Sequence, residues 1–169
     1  AWSSVTDFPD AILDIGAGTG VVSLMLAQRS DALIIDAVEL DENAYEQTVE
    51  NFERSNWGDR LYCYHATFQE YAIEIAADEE TYDLIVSNPP FYTDGFETEN
   101  IARNKARSTS FLSFEELIEG VVNIISKNGK FVVILPFLEE RNSISLAAKN
   151  NLFLNRVCRV QGNASSEVK

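Results

Sequence analysis

The chain reads as an α/β protein with a doubly wound, mostly parallel sheet, on three observations. Apolar runs of strand length recur along it, among them Ile12-Leu13-Asp14-Ile15, Leu33 to Glu39 and Tyr82 to Ser87. Helical patterns fill the intervals at short spacing, which is how parallel strands are connected. Finally, Phe131-Val132-Val133-Ile134-Leu135 is apolar throughout, as a central strand covered on both faces must be. The 169 residues carry no internal repeat, low-complexity stretch or interdomain linker, so 1–169 is read as one domain with material for a proper core.

The elements follow in order. Ala1 to Asp10 is an irregular lead-in to the first strand. Three glycines, Gly16, Gly18 and Gly20, then break the chain at every second position, and Val21 to Arg29 reads as a buried helix. After the strand ending on Glu39, Asp41 is placed to cap a helix running to about Arg54. Asn56-Trp57-Gly58-Asp59 is a turn, and Leu61-Tyr62-Cys63-Tyr64-His65 is a third strand rich in β-formers. Phe68 to about Ala77 is helical, and the acidic stretch Asp78-Glu79-Glu80 precedes the fourth strand, Tyr82 to Ser87. Ser113-Phe114-Glu115-Glu116 is a capping box opening a helix to about Lys127, with Asn128-Gly129 as its stop. The apolar fifth strand, a helix from about Leu138 to Asn150 and a last strand from roughly Leu152 to Val160 complete the chain.

Composition narrows the setting. No apolar run approaches the roughly 20 residues that span a bilayer, and no signal-peptide pattern is present, so a cytoplasmic protein with no membrane partner is expected. Cys63 and Cys158 sit inside separate strand patterns and read as small core residues rather than a disulfide or metal framework. The single histidine, His65, ends a strand and reads as structural, so no metal is expected. Net charge is −14, but it is unevenly spread. Residues 1–87 hold 3 Lys+Arg against 18 Asp+Glu, giving −15, whereas residues 88–169 hold 10 against 9, giving +1. A polyanionic partner would have to use the second half.

The glycine stretch is where a ligand can reach bare backbone. Glycine permits positive φ and close approach, and the first N–H groups of the following helix are unpaired donors. The spacing is G-x-G-x-G rather than the G-x-G-x-x-G of pyrophosphate sites, which argues against a dinucleotide. Glu39 lies nineteen residues after Gly20, at the tip of the adjacent strand, where a carboxylate can accept from ribose hydroxyls. Together these features favour a ligand containing a nucleoside.

The one long irregular piece, Asn88 to Leu112, exceeds ordinary loop length and opens on Asn88-Pro89-Pro90-Phe91-Tyr92. In a doubly wound sheet the fourth strand lies beside the first at the switch point, so Asn88 should emerge next to the glycine turn. Two prolines fix the local backbone and remove two N–H donors, leaving carbonyls as acceptors. An amide oxygen, a carbonyl and aromatic rings suit a planar group bearing an NH₂, with Asn88 and Pro89 each taking one amine hydrogen and Phe91 or Tyr92 stacking. Holding both hydrogens favours a pyramidal nitrogen whose lone pair is free to attack.

Asp14-Ile15-Gly16-Ala17-Gly18-Thr19-Gly20, Glu39 and Asn88-Pro89-Pro90-Phe91 together resemble the Rossmann-like (class I) S-adenosylmethionine-dependent amino-methyltransferases. More narrowly, Asp36-Ala37-Val38-Glu39-Leu40, Ser87 to Tyr92 and the Arg103 to Arg107 stretch resemble the bacterial methyltransferases that act on adenine N6 of a valine tRNA beside its anticodon. The resemblance covers essentially the whole chain. It implies that Asp14, Gly16, Gly18 and Gly20 line the cofactor and that Glu39 takes its ribose hydroxyls. It also implies that Asn88, Pro89 and Phe91 hold the target base, with Pro90 and Tyr92 beside them. Where the family usually places an aspartate against the cofactor adenine, this chain has Ala66-Thr67-Phe68, so that contact passes to Thr67, Phe68 or backbone. It further implies a segment before Ala1 that contributes to the active site, and a final strand after Lys169 that would pair with Leu152 to Val160; an open edge is expected there. A monomer is expected.

The Asn-Pro-Pro-aromatic motif alone does not separate adenine in RNA or DNA from guanine N2 of ribosomal RNA or a protein glutamine. A cofactor-binding fragment without activity is the alternative from another class. For the RNA partner, Arg103, Lys105 and Arg107 form the densest positive cluster in a chain with 13 Lys+Arg, directly after the proposed catalytic turn. Two or three phosphate contacts there give a shallow slope of log K against log salt, about −1.5 to −2.5. Arg103→Ala combined with Arg107→Ala is expected to lower RNA affinity and flatten that slope in salt titrations, with S-adenosylmethionine binding unchanged.

Overall fold

The computed structural model describes residues 8–89 and 112–161. Within them lies a five-stranded, all-parallel sheet of β1 (Ala11–Ile15), β2 (Ile34–Glu39), β3 (Leu61–His65), β4 (Tyr82–Ser87) and β5 (Ile125–Val133). The order is β3-β2-β1-β4-β5, so the chain runs outward from β1 to β3 and returns to the other side of β1 with β4. The connecting helices are α1 (Val21–Arg29), α2 (Glu42–Glu53), α3 (Phe68–Ala77) and α4 (Phe114–Ile124). After β5 a short 3₁₀ turn (Phe137–Glu139) leads into α5 (Glu140–Lys149). This is the doubly wound α/β class that the sequence pattern indicates.

Alternation along the strands explains the two layers. Leu13, Ile15, Val38 and Ile85 face α3 and α4 and pack with Phe68, Tyr71, Leu117 and Val121. Ile12, Ile35, Ala37, Leu84 and Val86 face the other way, onto Leu26 and Ala27 of α1 and Phe52 of α2. The caps fall where the sequence puts them. Asp41 accepts from the Ala44 amide at 2.9 Å, and Ser113 and Glu116 close a reciprocal capping box at the start of α4.

The apolar fifth strand, expected at the centre, lies at the sheet edge among the described residues, with Phe131 to Val133 half-buried and Ile134 exposed. Two more expectations are corrected. α4 ends at Ile124 and β5 begins at once, so Asn128-Gly129 is no helix stop. Tyr82 pairs with Ile125 but Leu84 pairs with Lys130, so Ser126 to Gly129 bulge out opposite the single residue Asp83. The Ser126 hydroxyl donates to Asp83 Oδ1 at 2.9 Å inside this bulge. A Cβ on Gly129 would lie 2.9 Å from the Tyr82 carbonyl oxygen, which explains the glycine by close approach rather than by helix termination. Second, residues 152–160 form no strand. The chain leaves α5 through a left-handed Asn151 (φ 61), with the Leu152 amide donating to the Ala147 carbonyl, and then runs with Phe153, Leu154 and Val160 exposed. Cys158 is consequently exposed rather than a core residue.

Arg60 ties the far end of α1 to the body. Its guanidinium donates to the carbonyls of Ala27 at 2.7 Å, Ser30 at 3.1 Å and Ala32 at 2.6 Å, satisfying groups that a helix terminus leaves unpaired. Charge-assisted hydrogen bonds contribute roughly 1.5–3 kcal/mol apiece, and water replaces part of them on truncation. Arg60→Ala should therefore lower the unfolding free energy by about 2–4 kcal/mol, read as a lower midpoint at unchanged m value in urea denaturation.

Candidate active site at the strand tips

The C-terminal tips of β1, β2 and β4 bring the glycine turn, Glu39 and Asn88 to one end of the sheet. Ile15 pairs with Val38 on one side and Ser87 on the other. The buried Ser87 hydroxyl donates to the Ile15 carbonyl at 2.9 Å, fixing these two tips side by side. Gly16 and Asn88 are the next residues on each strand, so Asn88 emerges beside the glycine turn, exposed, with Pro89 half-buried. Pro90, Phe91, Tyr92, Arg103, Lys105 and Arg107 lie outside the described residues.

All three glycines take left-handed backbone, at φ 69, 59 and 76 for Gly16, Gly18 and Gly20. Their surroundings differ. Among the described residues a Cβ at Gly16 or Gly18 would meet nothing within 4 Å, whereas one at Gly20 would sit 2.6 Å from the Phe52 ring and 2.9 Å from Thr48 Cγ2. The first two leave open space at the tip, and the third is needed for packing.

Glu39 binds the turn directly. One carboxylate oxygen accepts from the Gly18 amide at 2.7 Å, and the other from the Leu40 and Asp41 amides at 2.9 Å each. It stands at the tip as expected, half-buried, and joins the glycine turn to the start of α2. Beyond it, the His65 imidazole stacks on Tyr45 with centroids 5.1 Å apart, and its Nε2 lies 2.9 Å from the Leu40 carbonyl oxygen; this is a structural arrangement, as read from sequence.

Other expected residues sit elsewhere. Asp14 is only 2% exposed, beneath the turn, where Oδ2 accepts from the Ser23 hydroxyl at 2.6 Å. It ties β1 to the start of α1 and supports the glycine turn from below. Burial pushes its carboxyl up to about 6 and the Glu39 charge adds to this, against the hydrogen bonds from the Ser23 side chain and amide. The Thr67 hydroxyl accepts from the Glu70 amide at 3.2 Å and donates to the Glu70 carboxylate at 2.7 Å, closing the capping box of α3. The Phe68 ring is buried in the core against Gly120. The Phe68 ring is thus enclosed, while Thr67 stays half-buried with its hydroxyl engaged in the cap. Cys63 is a half-buried thiol pushed up to about 12 by burial and then by Glu39 and Asp14, unreactive as a core residue should be.

Residues the sequence reading passed over are Ser23, Thr48 and Asn51. Thr48 and Asn51 reach from α2 to the glycine turn, donating to the Gly18 carbonyl at 2.7 Å and the Thr19 carbonyl at 2.9 Å. Their signal was the spacing of Thr48, Asn51 and Phe52 at i, i+3 and i+4, which puts all three on one helical face.

Comparison with known proteins gives the family and the fold. The family model described as "Methyltransferase small domain" matches residues 4–145. A tRNA1(Val) (adenine(37)-N6)-methyltransferase from Christiangramia forsetii is 54% identical over 169 residues, all of this chain and 70% of that protein. One from Flavobacterium johnsoniae is 49% identical, over all of this chain and 71% of that protein. Among solved structures, a precorrin-6y C5,15-methyltransferase from Geobacter metallireducens superposes with a TM-score of 0.66 at 15% identity, covering 99% of this chain and 78% of that one, a likeness of fold.

The Asp14 environment has a measurable consequence. A carboxyl that holds its proton up to about 6 when folded, against an ordinary 3.8, favours the folded state most below pH 4. That contribution, on the order of 3 kcal/mol, is lost as pH rises through 6. Asp14→Asn keeps an acceptor for Ser23 and removes the titration, so denaturation curves between pH 4 and 7 should show wild type losing stability relative to the variant as pH rises. On its sequence relatives and its strand-tip architecture, the chain belongs to the methyltransferase small domain family and, within it, to the tRNA1(Val) (adenine(37)-N6)-methyltransferases.

Proposed function

We infer that this protein transfers a methyl group from S-adenosylmethionine to the exocyclic N6 amine of an adenine in valine tRNA, next to the anticodon. The observation that carries the reading is the meeting of the open glycine turn, Glu39 and Asn88-Pro89 at adjacent strand tips, in a chain 54% identical to a protein named for that reaction. A cytoplasmic location fits a tRNA substrate, and no helix among the described residues is long and apolar enough to cross a membrane.

The residues fit the cofactor. Gly16 and Gly18 leave bare backbone with no atom of the described residues within 4 Å of a would-be Cβ, and Glu39 is a carboxylate at the neighbouring tip. Gly16, Gly18 and Glu39 would hold it, Glu39 toward the ribose hydroxyls, while Asp14 and Gly20 support the turn. When bound, S-adenosylmethionine supplies an electrophilic methyl group on a sulfonium. Asn88 Oδ1 and the Pro89 carbonyl accept the two hydrogens of the target amine, which directs the nitrogen lone pair at that methyl group, and Phe91 stacks on the base. No general base acts before transfer, because the methylated nitrogen is acidic and loses its proton afterwards to water or to these same acceptors. Rate is gained from positioning and from acceptors aimed at the developing charge. An unpaired anticodon-loop adenine is inexpensive to turn out into such a pocket.

Mass spectrometry of nucleosides from tRNA incubated with protein and labelled cofactor tests the reading: N6-methyladenosine is expected, and label in guanosine or in protein would refute it. Asn88→Ala should leave cofactor affinity nearly intact and lower methyl transfer by roughly 10²-fold. Phe91→Ala should weaken base capture by about 1–3 kcal/mol.

A further inference from the structure

We propose that Thr48 and Asn51 of α2 are positioning residues for the cofactor, setting the orientation of the glycine-turn peptides that the ligand meets. The proposal rests on the reading that this turn receives S-adenosylmethionine. Three successive peptide units of the turn are held from outside it. The 17–18 peptide is held through its N–H by Glu39 Oε2 at 2.7 Å, and the 18–19 peptide through its carbonyl by Thr48 Oγ1 at 2.7 Å. The 19–20 peptide is held through its carbonyl by Asn51 Nδ2 at 2.9 Å. The Gly20 amide closes the turn on the Ala17 carbonyl at 2.9 Å, but left-handed glycines impose little barrier to reorienting the 18–19 peptide between them, so its orientation depends on the external bonds.

The clamp has a defined effect on donors. In a trans peptide the C=O and the following N–H point in opposite directions. Drawing the Gly18 carbonyl onto α2 therefore turns the Thr19 N–H away from that helix. Thr48 suits the task because it is fully buried, with its methyl filling the space beside Gly20 while its hydroxyl bonds the turn. Gly18 is thus gripped on both sides, by the carboxylate proposed for the ribose and by a buried threonine of α2. Cofactor affinity should then depend on Thr48 even though its side chain is fully buried.

Calorimetric titration with S-adenosylhomocysteine of wild type, Thr48→Val, Thr48→Ser, Asn51→Ala and Glu39→Gln tests this, alongside thermal melts and methyl-transfer kinetics. Thr48→Val keeps the shape and deletes the donor; it should weaken binding about fivefold, the scale of one hydrogen bond, and raise KM for the cofactor with kcat little changed. Thr48→Ser should restore affinity to within about twofold. Asn51→Ala, at the half-buried end of the clamp, should weaken binding two- to fivefold and keeps the test open should Thr48→Val fail to fold. Wild-type affinity in folded Thr48→Val or Asn51→Ala, with Glu39→Gln impaired, overturns the clamp and leaves the cofactor site standing. Wild-type affinity in all of them, Glu39→Gln included, overturns the cofactor site and the clamp together.

Discussion

Three backbone amides converge on the Glu39 carboxylate, and the active end of the molecule is arranged around them. The Gly18 amide belongs to the turn after β1, and the Leu40 and Asp41 amides to the entry into α2. Strand pairing holds β1 and β2 in register up to Ile15 and Val38, and the Gly16 and Ala17 amides still donate to the Val38 carbonyl just past that rung. Glu39 extends that control past the end of the ladder, with a charged acceptor where backbone partners run out. The Ser87 hydroxyl does the same on the opposite side of β1. A tip that would otherwise be three loose loops becomes one connected surface.

The sheet itself tolerates an unusual core group. Asp36, 4% exposed in the middle of β2, accepts from the Tyr82 hydroxyl at 2.5 Å and the Tyr71 hydroxyl at 3.3 Å through one oxygen, while no protein group among the described residues bonds the other. Burial raises its proton affinity, the two tyrosine hydrogen bonds oppose this, and Glu80 adds to it. The tyrosines are pushed the same way, chiefly by burial, and stay protonated donors. The arrangement links α3, β2 and β4 through polar side chains inside an apolar layer, so these three elements cannot shift independently without leaving a buried carboxyl unpaired.

Much of this was legible in the chain because periodicity and turn chemistry act locally. The five strands, the caps at Asp41 and Ser113 and the placement of Glu39 and Asn88 all follow from short patterns. What stayed hidden depends on contacts across the fold. Asn128-Gly129 looks like a helix stop until Asp83 and Tyr82 provide a strand for the chain to bulge against. Thr67 and Phe68 stand where a ligand contact was expected, but the capping box and the packing of α3 on α4 take both side chains. Thr48 and Asn51 stay unmarked because sequence gives the face they share but not what that face meets. The 152–160 stretch carries strand-forming residues such as Phe153, Val157 and Val160, yet local pattern supplies no neighbour for it to pair with.

The unequal environments of the three glycines separate two kinds of history for this motif. Gly20 is held by the fold: any side chain there collides with α2, whatever the protein binds. Gly16 and Gly18 are held by backbone conformation and by whatever must approach them, since a side chain there would meet none of the described residues. A descendant that ceased to use its ligand could therefore accept asparagine or aspartate, which tolerate left-handed backbone, at the first two positions and still fold. It would keep the third glycine. Erosion of the motif from its front with the rear intact would mark a methyltransferase fold retained after its chemistry had been lost.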